Sequence, residues 1–392
     1  MWAEDSTERA NGRVVRLGRV SHEGVAFIPD PLPPDVLWDS QTVSLLSTAD
    51  RALGRLAGVG QTLPNPHLLI GSFKRREAVL SSRIEGTQAS MDDLLLFEAA
   101  PTMQPRVPDV REVWNYVRAL EHGLDRQKNL PMSKRLMREM HGILLEGVRG
   151  QEHTPGEFRR SQNWIGPPGC SLADATFVPP PPSEMCEAID ALEAYLHEPS
   201  TLPPLVRLAV IHYQFEAIHP FLDGNGRIGR LMITLLLCME GILPGPLLYL
   251  SAYFERRRSE YYAGLLNVSC DGQWTEWITF FLRGVAEEAM DGVDRATRLL
   301  DLRERYREAF HSARSPALLL KLIDELFGAP AMTAARAAEV LRVTPSTAQR
   351  NIDKLVHSGI LRETTGRKRY RVFLADEIIR VLSEQRLPAP PA

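Results

Sequence analysis

The chain has 392 residues, which is enough for two or three domains with a substantial buried core. Hydrophobic residues make up 44% and charged residues 24%, and the formal net charge is -3. This composition excludes a wholly disordered chain and a uniformly basic protein that coats nucleic acid. The four cysteines are far apart and include no C-x-x-C pair, so we expect neither a disulfide framework nor a zinc ribbon, and a reducing cytoplasm is the expected setting.

Neither the N-terminal sequence nor the most hydrophobic stretch of the chain indicates a membrane protein. The N-terminal sequence is polar and acidic, and a secretory signal is not readable in it. The most hydrophobic stretch, residues 231–254, is interrupted by Glu240, Gly241 and Pro244. Since a spanning helix needs about 20 apolar residues, no membrane segment is expected.

Helical spacing of apolar residues dominates the chain and predicts a mainly α protein. A Pro-rich stretch at 31–34 precedes the first helices, and the spacing predicts helices over 70–84 and around 110–120. Residues that cap helix N-termini indicate three more starts, at Ser90, Ser133 and Ser183.

The segment 163–182 breaks the helical pattern. Trp164-Ile165 and Thr176-Phe177-Val178 are typical of two short strands around a Gly/Pro/Ser connection, and four consecutive prolines end the segment. Two segments that follow, 205–218 and 228–238, are apolar on nearly every side and are predicted to be buried helices. A long helical run extends from Trp274 to Phe310.

A polar, glycine-rich loop lies between the two buried helices and reads HPFLDGNGRIGR from His219 to Arg230. If the second helix begins near Gly226, its first N–H groups and positive dipole end form an anion site, for which phosphate is the natural ligand. Arg227 and Arg230 share a face of the first turn, where the dipole disfavours cations unless an anion binds between them.

Two further groups in this loop suit phosphate chemistry. Asp223 provides a carboxylate that can hold Mg²⁺ on substrate phosphates. His219 provides a base whose ordinary pKa lies near neutrality. A base, a metal ligand and a phosphate cradle therefore fall within one short loop.

At these residues the sequence resembles the Fic family, whose signature H-x-F-x-[D/E]-G-N-G-R-x-x-R is met at every specified position. Gly156-Glu157-Phe158-Arg159 is similar to the family's G-x-[Y/F]-R element, and Trp164–Val178 to its target-binding flap. The resemblance covers roughly residues 35 to 310.

The resemblance implies AMP transfer from ATP to a Ser, Thr or Tyr hydroxyl of a protein target. It implies His219 as general base and Asp223 as the Mg²⁺ ligand. The implied nucleotide-binding residues are Phe221, Asp223, Gly224, Asn225, Gly226, Arg227 and Arg230, with Glu216 and Tyr262 beside the nucleoside. Family members that transfer phosphate carry Lys where this chain has Gly226, which argues against kinase-like transfer.

An inhibitory pattern of the same family, [S/T]-x-x-x-E-[G/N], is met by Ser81, Glu85 and Gly86. Gly86 is placed to close the helix 70–84 in a left-handed conformation. Glu85 then lies at a helix end that disfavours anions, and Arg230 lies at a helix start that disfavours cations. We expect Glu85 to pair with Arg230 in the space that the γ-phosphate needs.

Charge and pattern change near residue 315. Residues 317–374 contain ten basic and five acidic residues, and their elements resemble a winged helix-turn-helix, with strands at 360–362 and 369–373 around Gly366-Arg367-Lys368. Helices are predicted over 317–327 and 333–341, and a third helix opens at Thr344. This third helix offers Ser346, Thr347, Gln349 and Arg350 to DNA, although such domains also bind proteins. The predicted domains are a helical N-terminal region at 1–108, a Fic catalytic domain at 109–314 and a winged-helix domain at 315–392.

The sequence leaves alternatives open. The chain is an AMP transferase, a DNA-binding regulator whose Fic domain only senses nucleotide, or a hydrolase that removes AMP from targets through the same site. A protein substrate at the flap and DNA at the C-terminal domain are the expected partners, a membrane is not, and a homodimer is left open.

Overall fold

The structure, a computed structural model, describes residues 8–9, 11–17, 24–62, 67–101, 105, 107–311, 316–367 and 369–384. Over these residues the chain forms fifteen α-helices and six short strands, which confirms the prediction of a mainly α protein. Ser315, where a domain boundary was predicted, and Lys368 lie outside the described residues.

The helices follow one another along the chain with mostly short connections. They are α1 (Ser40–Thr62), α2 (His67–Ile84), α3 (Met91–Ala99), α4 (Val110–Arg126), α5 (Lys134–Leu144), α6 (Pro182–His197), α7 (Pro204–Ile218), α8 (Asn225–Met239), α9 (Ser251–Arg256), α10 (Arg258–Asp271), α11 (Trp274–Ala309), α12 (Pro316–Gly328), α13 (Ala334–Leu341), α14 (Pro345–His357) and α15 (Asp376–Ser383). The strands are β1 (Glu8–Arg9), β2 (Gly12–Arg16), β3 (Val25–Pro29), β4 (Ala331–Thr333), β5 (Arg362–Glu363) and β6 (Val372–Leu374).

The chain divides into two compact units. The first consists of Met1–Leu53, Arg118–Ile242 and Leu250–Glu287, and the second of Gly54–Val117, Leu243–Tyr249 and Glu288–Ala392. These units are defined by proximity in the folded chain and not by the order of the sequence. The predicted domains 1–108, 109–314 and 315–392 therefore stay a prediction.

The predicted helix starts are confirmed at two of three positions. Ser90 caps α3 in a complete capping box with Asp93, and Ser133 caps α5. At the third position the helix is confirmed but the cap is not: α6 begins at Pro182, one residue before Ser183, and no side chain caps it. Proline fits the first helical position since its missing N–H would have no intrahelical acceptor there.

An antiparallel three-stranded sheet, in the order β1-β2-β3, lies before the first helix, within the N-terminal region that was predicted to be helical. Arg13 pairs with Ile28 in its register. Asn11 anchors the sheet in the first unit, donating to the Tyr213 hydroxyl of α7 at 3.0 Å and accepting from the Trp274 indole of α11 at 3.1 Å. The strands are too short for their alternation to stand out from a helical pattern.

The two segments predicted to pair in the flap do pair, but through one bridge and not as extended strands. The flap, residues 164–178, holds one antiparallel bridge between Ile165 and Phe177, and a short 3-10 helix occupies Leu172–Asp174. The prolines that follow Val178 cannot donate to a ladder, and this limits the pairing to a single bridge.

The second unit contains α2 and the C-terminal segment, by which we mean residues 316–384. The segment runs α12, β4, α13, α14, β5, β6 and α15, and its strands form one antiparallel sheet in the order β4-β6-β5. At the end of α2, Gly86 has φ of 97°, which confirms its predicted left-handed conformation. Among the described helices none is long and apolar enough to cross a membrane.

Candidate active site

Helices α7 and α8 form a buried hairpin whose loop carries the His219–Arg230 motif. Nearly every residue of both helices is buried, as their apolar sequences predict. The indole of Trp277 on α11 donates to the backbone oxygen of Ala209 at 2.9 Å and so fixes α7 in the core. The loop therefore projects from a rigid base.

The loop begins and ends with left-handed residues. His219 closes α7 with φ of 48°, and its N–H donates to the Phe215 oxygen at 3.0 Å. Gly224, with φ of 78°, precedes α8, which begins at Asn225, one residue before the predicted start. The Asn225 side chain accepts from the Phe221 N–H at 2.8 Å and donates to the Phe221 oxygen at 2.9 Å, so it clamps the middle of the loop.

His141 on α5 supports the loop from beneath. Its Nδ1 accepts from the Gly156 N–H at 2.9 Å, and its Nε2 donates to the Asp223 oxygen at 3.0 Å. Burial is the main cause that lowers the pKa of His141 to about 4. The ring is therefore neutral at physiological pH, with its proton on Nε2, and joins two loops.

Arg159 holds the first residues of the motif. Its Nε donates to the His219 oxygen at 2.9 Å, and its own N–H donates to the Pro220 oxygen at 2.9 Å. Its guanidinium also donates to the Pro180 oxygen at the end of the flap. Burial lowers the pKa of Arg159 to about 10, so the group remains a cation at neutral pH.

The imidazole of His219 is oriented by the backbone of α7. Its Nδ1 lies 3.3 Å from the Glu216 oxygen. Because a carbonyl oxygen can only accept, this contact places the proton on Nδ1 and makes Nε2 the basic nitrogen. The side chain is half-buried, which leaves it accessible from outside the loop.

Asp223 presents its carboxylate beside the start of α8. One oxygen accepts from the Gly224 N–H at 2.5 Å and lies 3.4 Å from the Arg227 guanidinium. The other oxygen faces Gly150, where an added Cβ would lie 2.7 Å away. The absence of a side chain at Gly150 therefore keeps space at the second carboxylate oxygen.

The first turn of α8 combines backbone donors with two buried cations. Helix geometry leaves the N–H groups of Asn225 and Gly226 without an intrahelical acceptor. Arg227 and Arg230 are 1% and 2% exposed and share one face, as predicted. Such a turn attracts anions through its dipole, its donors and its charges together.

The remaining predicted site residues lie in three places. Glu216 extends across α8, where a Cβ at Gly229 would lie 2.2 Å from its carboxylate oxygen. Phe221 is fully buried against His141, and Tyr262 on α10 is 42% exposed beneath the Arg258 guanidinium. The inhibitory-pattern residues belong to the second unit, in which Ser81 is buried in α2 and Glu85 and Gly86 form the turn after it.

Sequence reasoning missed two residues that hold the loop. One is His141, and the other is Asn163, whose amide donates to the Phe221 oxygen at 2.8 Å. The sequence did contain a signal for His141, because it lies between Met140 and Leu144 on the apolar face of α5. A polar residue on a buried helix face needs a hydrogen-bond partner inside the protein.

The residues described hold no group of three or more His, Cys, Asp or Glu side chains arranged for a metal ion. A single carboxylate is compatible with Mg²⁺, which commonly binds one or two carboxylates together with substrate phosphates and waters. Asp223, with space at its second oxygen, fits that requirement.

Two family models match the chain, and together they define its class. Residues 43–125 match the Fic/DOC family N-terminal domain, and residues 131–237, which include the motif loop, match the Fic/DOC family domain. The chain therefore contains the two domains of the Fic/DOC family at these residues.

Curated proteins that bear the family name are similar to part of the chain. Protein adenylyltransferase Fic of Drosophila erecta is 31% identical over 138 residues, which are 35% of this chain and 24% of that protein. Its counterpart from Drosophila melanogaster is 31% identical over 138 residues, 35% of this chain and 25% of that protein. The chain thus spans about a quarter of the length of these relatives.

Two crystal structures share the fold. A Fic family protein from Desulfovibrio desulfuricans G20 superposes with a TM-score of 0.56 at 18% identity, over 88% of this chain and 98% of that one. A Fic domain containing signaling protein from Bacteroides thetaiotaomicron VPI-5482 gives a TM-score of 0.50 at 20% identity, over 66% of this chain and 95% of that one.

Proposed function

We propose that the protein transfers AMP from ATP to a hydroxyl group of a protein target. The observation that carries the proposal is the placement of His219 and Asp223 on a braced loop that leads directly into the anion-binding turn of α8. The names of the Drosophila relatives, protein adenylyltransferases, support the same activity.

The chemistry follows from the positions of these groups. Nε2 of His219 takes the proton of the target hydroxyl, whose oxygen attacks the α-phosphorus of ATP. The bond from that phosphorus to the bridging oxygen breaks, and pyrophosphate leaves with the electron pair. The N–H groups of α8 and the two buried arginines stabilise the negative charge of the phosphates. Bound Mg²⁺, held by Asp223, would supply further charge neutralisation on the phosphates.

The flap is suited to hold the target because both of its ends are tied to the motif loop. Asn163 contacts the Phe221 oxygen before the flap, and Arg159 bridges His219 and Pro180 after it. Trp164 and Ile165 are 42% and 39% exposed between these ties. A target strand that pairs with the flap would be held at a fixed distance from His219.

We further propose that Glu85 restrains the transfer. It follows the last residue of α2, where the helix dipole disfavours a carboxylate, and its position matches the inhibitory pattern in the sequence. A carboxylate on Arg230 would compete with the γ-phosphate for the same guanidinium. The restraint would leave ATP unbound or bound in an unproductive arrangement.

The proposed transfer is tested by incubating the full chain and its Glu85→Gly variant with ATP and Mg²⁺ and measuring covalent AMP on protein. His219→Asn is the matched control, because asparagine tolerates the left-handed conformation of residue 219 and removes the base. We expect labelling to fall about 10²–10⁴-fold in the control. Equal labelling with and without His219 would contradict the assignment of the base.

A second activity is favoured by the surface of the C-terminal segment. Its helices and three-stranded sheet follow the order of a winged helix, and we propose that it binds duplex DNA. Arg336 and Arg362 are ion-paired, but seven exposed cations of the segment form no ion pair with described residues. These are Lys321, Arg342, Arg350, Lys354, Arg367, Arg369 and Arg380.

DNA binding is tested by fluorescence anisotropy with a duplex over a series of salt concentrations. We expect Arg350→Ala to weaken binding and to lower the salt dependence by about one counterion, whereas Arg336→Ala, which removes an ion-paired arginine, leaves both unchanged. Equal effects of the two substitutions would contradict the proposed surface.

A further inference from the structure

The first part of α2 is held by the C-terminal end of α12. The Ser72 hydroxyl donates to the Phe327 oxygen at 2.6 Å, and the Arg75 guanidinium donates to the Gly328 oxygen at 2.9 Å. These two carbonyls belong to the last turn of α12, where the helix itself provides no donors. Side chains of α2 therefore provide the cap of α12.

Gly71 allows the backbones of α2 and α12 to approach each other closely. A Cβ at Gly71 would lie 2.3 Å from the Gly328 oxygen. Its neighbours in the helix prevent Gly71 from moving aside independently, so any side chain there would separate the two helices. The contact between α2 and α12 therefore leaves no room for a side chain at position 71.

A chain of charged groups connects α2 to the last helix of the C-terminal segment. Arg76 on α2 lies 3.5 Å from the Asp291 carboxylate, which pairs with Arg295 at 2.5 Å. The Arg295 guanidinium donates to the backbone oxygens of Val381, Leu382 and Glu384 at the end of α15. All of these groups lie in the second unit.

The inhibitory-pattern residues lie on the other side of α2. Ser81 is nine positions after Ser72, which at 3.6 residues per turn corresponds to about 180° around the helix. The C-terminal segment therefore holds one face of α2, while the opposite face carries Ser81 and leads to Glu85.

We propose that the C-terminal segment sets the strength of the restraint by holding α2 from behind, so that separating α12 from α2 releases AMP transfer. This inference rests on the proposed restraint by Glu85. It assigns to the segment a regulatory role that is distinct from DNA binding.

The substitution that tests this inference is Gly71→Ala, which places a methyl group against the Gly328 oxygen. Gly54→Ala is the matched control, because Gly54 is exposed on α1 and a Cβ there meets no atom within 4 Å. Both substitutions are made in the full chain. Hydrogen exchange of the α2 amides and AMP incorporation are measured for each variant, with and without Glu85→Gly.

For Gly71→Ala we expect the α2 amides to exchange at least about fivefold faster. AMP incorporation should rise by a similar factor, which is the lower end of the range for coupling between two sites. Gly54→Ala should match the parent in both measurements. In the Glu85→Gly background, Gly71→Ala should give no further rise, because the restraint is already absent.

Unchanged exchange in α2, or equal rises with and without Glu85, would overturn the inference. If neither the parent nor Glu85→Gly transfers AMP, the proposed function fails, whereas faster α2 exchange still supports the hold of the segment on α2. Should Gly71→Ala not fold, Ser72→Ala removes only the hydroxyl donor, and we expect smaller changes in the same directions. No change in either measurement for Ser72→Ala would then overturn the inference.

Discussion

The imidazole of His141 lies parallel to the phenyl ring of Phe221, with ring centroids 3.8 Å apart and an interplanar angle of 10°. His141 thus contacts the motif loop twice, through the Phe221 ring and through the Asp223 oxygen. The Asp223 contact needs a proton on Nε2, and a further contact from the Gly156 N–H needs an unprotonated Nδ1, so only the neutral Nε2–H tautomer makes both hydrogen bonds.

His141→Phe keeps a ring against Phe221 and removes both polar contacts. We expect the free energy of unfolding to fall by about 2–4 kcal/mol, since a buried donor and a buried acceptor lose their partners. Transfer should fall by about 10- to 100-fold through displacement of the loop. Urea unfolding and initial rates measure the two effects, and His197→Phe, at an exposed position, should change neither. Unaltered stability of His141→Phe would show that the contacts do not support the loop.

The stability of the protein should depend on pH through His141. Its pKa is about 4 in the folded protein and 6.5 ordinarily, so the unfolded chain binds more protons between these pH values. The free energy of unfolding should therefore fall by about 3 kcal/mol as the pH is lowered from 6.5 to 4. His212, whose pKa burial lowers to about 3, acts in the same direction and remains in the His141→Phe variant. Denaturant unfolding at several pH values should give a shallower dependence for that variant, and an identical dependence would contradict this account.

Gly150→Ala tests the space beside Asp223. The added Cβ would lie 2.7 Å from the carboxylate, so we expect a several-fold rise in the Mg²⁺ concentration that gives half-maximal transfer. Gly241→Ala is a matched control, because Gly241 is also left-handed and a Cβ there meets nothing within 4 Å. It carries a similar backbone strain of about 1 kcal/mol without the contact. Equal Mg²⁺ dependence in the two variants would argue against Asp223 as the metal ligand.

Glu85→Gly should raise AMP transfer, by about 5- to 150-fold if the restraint has the strength of ordinary coupling between sites. Ser81→Ala, which removes a buried hydroxyl from α2, should give a smaller rise. Initial rates at matched ATP concentration measure both, with Glu152→Gly, at an exposed turn position, as the control. A rate for Glu85→Gly that equals the parent rate would exclude the restraint and leave the role of His219 unaffected.

The sequence predicted the motif loop well because its chemistry is contiguous. His219 and Asp223 lie in one short loop, and the two arginines lie in the first turn of the helix that follows it. The spacing of the arginines alone therefore determines that they share a face. The left-handed conformation of Gly86 follows equally from the local rules of helix ends.

The supporting contacts could not be predicted, because they join residues that are distant in sequence. His141 and Asp223 are 82 positions apart, and Ser72 and Phe327 are 255 positions apart. The sheet β1-β2-β3 was missed, and the extent of pairing in the flap was overestimated, for a related reason: pairing of short strands is decided by their tertiary partners.

The central claim is the transfer of AMP, and the position of the label in ATP tests it most directly. The Glu85→Gly variant is incubated with Mg²⁺ and protein substrate in the presence of ATP labelled at either the α- or the γ-phosphorus. The account predicts covalent label on protein from α-labelled ATP alone, with the γ-label recovered in pyrophosphate and all labelling lost in His219→Asn. Covalent label from γ-labelled ATP, or α-label that persists in His219→Asn, would contradict it.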